Sequence, residues 1–303
     1  MIGMKTSQKS EIIATLVLIG SAVLGGFSAY ASKIALKELT PTTILFLRIS
    51  FMVVSLLPFV AGRLSQLRHH WKRVVFLGLL WSGNVLGFIV GIEHTTAIAS
   101  STIYTVVPLM VLFLRWIFLA IRATKHQSAG VLIGFLGALL VIFIPQADLR
   151  FGSTEGNLIM FAAITSYASY LVVSKSLSTH VSALLLTAGS ALVGWVLSFF
   201  LFIVVDGFAS IPVIFSATGP TWLSLIYLGV VMGGFMYWLI QWGVKYSSPL
   251  TASMMGYVLL LVASTVGVVL LGEQFTLQII LGCILIVIGV FVASVLPLFR
   301  RNV

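Results

Sequence analysis

Residues 248–294 read SPLTASMMGYVLLLVASTVGVVLLGEQFTLQIILGCILIVIGVFVAS, two long apolar runs parted by Gly272-Glu273-Gln274. Each run holds about 20 residues, enough to cross ~30 Å of hydrocarbon as a helix rising ~1.5 Å per residue. So short a break sends the second helix straight back through the layer. The same design occurs at 97–143, AIASSTIYTVVPLMVLFLRWIFLAIRATKHQSAGVLIGFLGALLVIF. A shift of 152 residues lays Gly130 on Gly282, Gly137 on Gly289 and Ser101 on Ser253, and a shift of 142 lays Ser32-Lys33 on Ser174-Lys175. The chain therefore reads as two tandem copies that differ in loop length, and repetition of this kind decides an architecture.

Composition sets the solvent. Of 303 residues, 60% are hydrophobic and 8% are charged, with a mean hydropathy of +1.17. A soluble domain carries about 25% charged residues, so this is a polytopic membrane protein. Lipid cannot satisfy open backbone groups, which leaves helices or a closed barrel. The runs are long and do not alternate, which selects helices. The net charge of +10 does not point to nucleic acid, because the lysines and arginines cluster in short loops between apolar runs. Cys283 is the only cysteine and has no intramolecular disulfide partner. No Cys/His cluster has metal-ligand spacing, and the adjacent His69 and His70 point apart. Neither a metal nor a cofactor is expected.

Ten spans are expected, at about 12–36, 41–61, 74–94, 97–120, 127–145, 156–177, 181–205, 220–243, 248–271 and 276–297. Ala29-Tyr30-Ala31 resembles a signal-peptide cleavage site, but cleavage there would delete the first helix of the first copy, so an uncleaved span is expected. Residues 146–155 are polar and divide a first five-helix copy, 1–145, from a second, 156–303. Five is odd, so the second copy enters the membrane inverted. With the N-terminus inside, the inner ends hold Lys5, Lys9, Arg63, Arg68, Lys72, Arg73, Arg115, Arg122, Lys125, Lys175, Lys245, Arg300 and Arg301. The outer ends hold Lys33, Lys37 and Arg150 with most of the acids, among them Glu38, Glu93, Asp206 and Glu273. That bias predicts a multi-pass protein of the cell (inner or plasma) membrane with both termini cytoplasmic.

Tyr257-Val258 through Leu271-Gly272-Glu273, with Gly282 and Gly289, resembles the end of a domain of the EamA family, in the drug/metabolite transporter superfamily. Lys33, Pro41, Arg48 and Pro58 resemble the start of the same domain, and the resemblance covers nearly the whole chain as two such domains. It implies export of amino acids or related metabolites. Another small-metabolite or multidrug transporter of the same fold, a non-transporting structural or signalling membrane protein, and an intramembrane enzyme stand as alternatives. Against an enzyme, no Ser/His/Asp, HExxH or paired-carboxylate arrangement is placed for chemistry, and no catalytic residue is expected.

Inverted repeats place a solute site near the midplane, between the copies. No Asp or Glu lies deep in any span, which argues against a carboxylate proton relay. Arg48 is the one strongly charged group inside a span; it contacts a substrate carboxylate or phosphate, or it bonds helix-end carbonyls and snorkels outward. Three-, four- and seven-residue spacings make helical faces of Ser21, Gly25, Ser28 and Ser32; of Trp81, Asn84 and Phe88; of Tyr167, Tyr170 and Ser174; of Trp238, Gln241 and Lys245, with Tyr237 adjacent; and of Ser253, Tyr257 and Ser264. Such faces either pack helix on helix or line a wet cavity. The candidate cavity set is Ser28, Arg48, Trp81, Asn84, Tyr104, Tyr167, Tyr170, Trp238, Gln241 and Tyr257. The expected partners are a small-molecule substrate and the lipid bilayer, with no nucleic acid, in a monomer or homodimer. Gly130 and Gly134 suggest a close contact between the fifth and tenth spans, and Pro108 interrupts the fourth helix.

Overall fold

A backbone in hydrocarbon must satisfy its own donors and acceptors, and the chain does so with helices throughout. The computed structural model describes residues 8–119, 124–143, 152–247 and 249–292, and every regular element among them is helical. In order they are α1 (Gln8–Gly25), α2 (Ser28–Ala35), α3 (Pro41–Val60), a 3-10 segment (Ala61–His70), α4 (Trp71–Glu93), α5 (Ala97–Tyr104), α6 (Val107–Leu119), α7 (Lys125–Ile142), α8 (Thr154–Leu177), α9 (Ala183–Val205), a short 3-10 turn (Phe208–Ser210) leading into α10 (Ile211–Ser216), α11 (Gly219–Ile226), a π-helical segment (Tyr227–Met236), α12 (Tyr237–Tyr246), α13 (Pro249–Met254), α14 (Gly256–Leu271) and α15 (Leu277–Val290). Lys5, Arg122, Asp148, Arg150, Arg300 and Arg301, with most of the 146–155 linker, lie outside the described residues.

Seven continuous stretches are long and apolar enough to cross a bilayer, and α14 and α15 add two shorter apolar helices. One of the seven, Pro41–Glu93, runs 53 residues. At ~1.5 Å per residue that is more than twice a ~30 Å core. The stretch folds back at its 3-10 segment, since α3 and α4 lie against each other and both pack on α9. The chain is therefore a multi-pass membrane protein. Its outward surface carries Val204, Phe215, Leu223, Leu261 and Val269, all exposed. On a water-soluble protein so wide an apolar surface would aggregate; in a bilayer it faces the matching solvent.

The starts of the helices are legible in side chains. Thr40, Thr96, Thr124, Ser153, Ser182 and Thr276 each accept a hydrogen bond from an amide of the following first turn, satisfying donors that a helix cannot satisfy itself. The expected contact between the fifth and tenth spans forms within the chain, where α7 packs on α15. A Cβ on Gly137 would stand 2.7 Å from the Gly282 carbonyl, and one on Gly289 would stand 2.6 Å from that of Gly130. The two helices run in opposite senses and meet through reciprocal glycines.

Charged groups tie the ends of the bundle. At one end, three carboxylates each hold the N-terminal turn of a helix remote in sequence. Asp206 accepts hydroxyl bonds from Thr40 (2.8 Å), Thr43 (3.0 Å) and Thr42 at the start of α3. Glu38 accepts from the Thr218 amide at 2.8 Å and its hydroxyl at 2.6 Å, at the start of α11. Glu273 accepts from the Ala97 and Ile98 amides of α5 at 2.8 and 3.0 Å, with the Lys33 ammonium 3.6 Å away. Gly272 in the left-handed conformation (φ 66°) ends α14 and turns Glu273 into this position. At the opposite end Lys175 donates to the carbonyls of Val244, Lys245 and Ser247 at 2.8, 2.9 and 2.7 Å, closing the C-terminus of α12.

Candidate functional site

Four irregularities in the helices converge on one place. α1 breaks into α2 at Gly26-Phe27, α5 into α6 at Thr105-Val106, and α13 into α14 at Met255, while Tyr227–Met236 is wound as a π-helix. Pro108 accounts for the second break, because it has no amide to give the Tyr104 carbonyl; that carbonyl lies against Gly256 instead. Non-helical backbone at membrane depth survives only when enclosed by protein or beside a cavity. Here Gly25, Tyr104, Met232, Met236, Met255 and Gly256 from these breaks border a cavity of about 90 Å³.

Its polar wall comes from four further elements. α3 contributes Arg48, α4 contributes Asn84 and Phe88, α8 contributes Tyr167, and α12 contributes Tyr237. Ser21, Ser28, Ser100, Ser101 and Ser253 complete it. Arg48 is 4% exposed. It shares the cavity wall with Tyr237 and Tyr104. Among the described residues no carboxylate reaches it and no hydrogen bond holds it; the two acid–base pairs present, Lys33–Glu273 and His94–Glu93, are both at the end of the bundle. A buried charge without a partner costs several kcal/mol, and this one borders the cavity.

Asn84, 2% exposed, organises the centre. Its Nδ2 donates to the Tyr104 hydroxyl at 2.7 Å and to the Ala163 carbonyl at 3.1 Å, and its Oδ1 accepts from the Tyr237 hydroxyl at 3.1 Å. The rings continue outward. Phe88 meets Tyr104 edge-on at 6.0 Å, Tyr104 lies 6.1 Å from Tyr167, and Trp81 and Tyr170 both meet Tyr237 edge-on, at 5.5 and 6.2 Å.

Of the residues singled out from the sequence, Ser28, Arg48, Asn84, Tyr104 and Tyr167 lie on the cavity wall. Trp81, Tyr170 and Gln241 lie just behind it. All three are fully buried, and Gln241 Nε2 donates to the Tyr170 hydroxyl. Trp238 and Tyr257 lie off the wall. On α12 the wall is formed by Tyr237 and Ile240, one residue round from Trp238, whose ring lies tilted 5.8 Å from that of the exposed Phe235. On α14 the wall is Gly256, Leu259 and Ala263, and Tyr257 lies off it, its buried hydroxyl without a partner among the described residues. Sequence reasoning missed Tyr237 as a wall residue, together with Ser100 and the methionines 232, 236 and 255. The 232, 236, 240 spacing was the signal available for the face that enters the cavity.

Comparison with known proteins gives a consistent result. The pattern of the EamA-like transporter family matches the chain twice, over residues 12–143 and 154–295. A WAT1-related protein of Arabidopsis thaliana is 26% identical over 292 residues, covering 86% of this chain and 84% of its own length. An uncharacterized transporter of Bacillus subtilis, YoaV, is 24% identical and covers 95% of this chain and 98% of its own. One solved structure superposes with a TM-score of 0.68 at 20% identity, over 95% of this chain and 98% of the other, so the two share a fold.

Proposed function

The chain belongs to the EamA-like transporter family, and from that premise we propose that it moves a small amphipathic solute with an anionic end by alternating access, with export of amino acids or related metabolites as its activity. It is a membrane transporter and not an enzyme, with a small molecule as substrate and the bilayer as its setting. The observation that carries the solute assignment is Arg48, buried, unpartnered and on a cavity wall otherwise made of tyrosine, serine and apolar side chains. The aromatic and methionine surfaces suit an apolar body, and the guanidinium suits a carboxylate.

The same reading takes the chain as ten spans in two inverted five-helix repeats, 1–145 and 156–303, joined by 146–155. The reciprocal glycine contacts of α7 and α15 support it, because a two-fold axis in the membrane plane exchanges Gly130 with Gly282 and Gly137 with Gly289. The carboxylate-clasped end is taken as outside. Arg63, Arg68, Lys72, Arg73 and Lys245 gather at the other end, which is taken as cytoplasmic with both termini. In this state the outer end is closed. A cavity of about 90 Å³ is smaller than the ~150 Å³ that encloses a benzene ring, so a solute larger than a few heavy atoms enters only when the halves part. Flux into and out of proteoliposomes across a panel of amino acids tests this. Arg48→Gln is expected to lower flux of the transported member at least tenfold; no flux for any member by the wild-type protein defeats the reading.

A further inference from the structure

We propose that a groove between α6, α7 and α8 seats one acyl chain of an anionic phospholipid, with the lipid phosphate at Arg115. The inference goes beyond the transport reading and uses neither the central cavity nor its solute. The groove has a volume of about 740 Å³, within the ~300–1,000 Å³ of small-molecule sites. Its floor is a run of rings. Phe113 of α6 meets Phe135 of α7 edge-on at 6.1 Å, and Phe135 meets Phe161 of α8 edge-on at 6.0 Å. Its rim carries Trp116 and Leu132, both exposed. Gln127 and Phe135 both line it and stand eight residues apart on α7, which is ~12 Å of helix. Half of a ~30 Å hydrocarbon core is ~15 Å, so the groove follows one leaflet from head-group level nearly to the midplane.

The chemistry changes along that length. The body of the groove is apolar apart from Thr165, whose hydroxyl donates to the Phe161 carbonyl at 2.9 Å. The shallow end holds Arg115 of α6 with Gln127 and Ser128 of α7. Arg115 is half-buried, one turn before Leu119 at the end of α6. Among the described residues no carboxylate pairs with it, and the two acid–base pairs present lie at the other end of the bundle. Gln127 Oε1 accepts from the Thr124 amide at 2.9 Å in the cap of α7, which leaves its Nε2 to donate. An apolar trough that ends in a guanidinium and an amide donor matches a phosphate with a hydrocarbon chain attached. The duplication shows that the helices do not need these groups in order to pack. A shift of 152 lays Arg115, Gln127 and Ser128 on Gly267, Ile279 and Ile280, so the second copy carries neither charge nor amide at the equivalent positions.

The test is electron spin resonance of the full chain in phosphatidylcholine bilayers that carry a trace of spin-labelled phosphatidylglycerol or of spin-labelled phosphatidylcholine with the same chains. Lipid held by the protein reads as an immobilised signal. The wild-type protein is expected to hold phosphatidylglycerol about fivefold more tightly, the effect of one cation at the level of the lipid phosphate. Arg115→Gln and Ser128→Glu should each erase that preference. Lys72→Gln, which removes a cation off the groove at the same end, should leave it unchanged. Val131→Trp, which fills the trough, should lower the immobilised signal of both lipids, and the two variants at the mouth carry the test should it fail to fold. Equal binding of the two lipids by wild-type protein overturns the inference. So does a preference that survives Arg115→Gln, or one that falls as far with Lys72→Gln, which would be the diffuse attraction of a basic surface. In a Cys283→Ala background, disulfide-linked dimers through Leu132→Cys would give the groove to a second copy, and displacement of the labelled lipid by a transported amino acid would give it to the solute; either result also overturns the inference.

Discussion

Lys33 and Lys175, which the sequence pairs at a shift of 142 residues, sit at opposite ends of the bundle beside helix ends of opposite dipole sign. Lys175 has three ammonium protons and three carbonyls to receive them, all at the C-terminus of α12. A helix C-terminus is the negative end of its dipole with unmet acceptors, so a lysine closes it directly. Lys33 faces the converse problem. The nearby helix end is the N-terminus of α5, which repels a cation, and Glu273 is interposed to cap it while Lys33 pairs with the carboxylate. The consequence differs as well. Lys175 ties α8 to α12 inside the second half of the chain, whereas Glu273, Asp206 and Glu38 each join the first half to the second. Parting the halves at that end must break carboxylate clasps; moving them at the other end leaves Lys175 intact.

The largest effect that would sharpen this contrast is expected from Lys175→Met. Three orphaned carbonyls should cost about 3 kcal/mol, read as a lower unfolding temperature in detergent. A loss of under about 1 kcal/mol would place Lys175 with the dispensable surface lysines and break the comparison. Glu273→Ala comes next. Losing the cap on α5 should cost about 1–2 kcal/mol and loosen the clasped end. In a Cys283→Ala background, a cysteine at Ser28 should then react faster with a membrane-impermeant maleimide added outside. Unchanged labelling would separate the Glu273 clasp from closure. Lys33→Met should cost no more than about 1 kcal/mol, since the pair is 3.6 Å long and partly exposed; a larger loss would make Lys33, not Glu273, the element that holds this end.

The smallest effect is pH-dependent. The Thr218 hydroxyl, and then its amide, hold the Glu38 carboxyl below its ordinary 4.5. A depressed carboxylate contributes stability in full above its unfolded value and loses it as pH falls through the folded one. The unfolding temperature of Glu38→Gln should therefore trail the wild type at neutral pH, and the gap should close as pH falls through the depressed carboxyl value, below its ordinary 4.5. A gap that persists in acid would mean that the Thr218 contact does not depend on charge.

Much of the architecture was legible along the chain. Apolar runs, their Ser/Thr starts and the glycines of α7 and α15 act within one helix or one contact line, and each appears where its chemistry requires it. Arg48 was conspicuous for the same reason, as a charge in a run that otherwise excludes charge. The inner tyrosines were read as one set, yet the fold divides them. Tyr104 and Tyr167 lie on the wall, where Tyr237, from outside that set, joins them; Tyr170 supports the wall from behind, and Tyr257 lies off it. Spacing says which residues share a face, and it is silent on what that face meets. Breaks at Gly26, Thr105 and Met255 and the π-turn before Tyr237 make that harder, since each resets the angle at which the next turn is presented.

The sequence alone determined that this chain lives in lipid, that it crosses as helices, that its two halves resemble each other and that one arginine lies where charge is expensive. Those are properties of a segment and its solvent, and hydropathy and period carry them residue by residue. Only the tertiary structure decided that Asn84 stands between two phenols with a carbonyl fixing its orientation, and that Glu273 caps a helix 176 positions away. Each of these needs a donor and an acceptor from distant parts of the chain to arrive at one point, and such a meeting leaves no local pattern in the sequence.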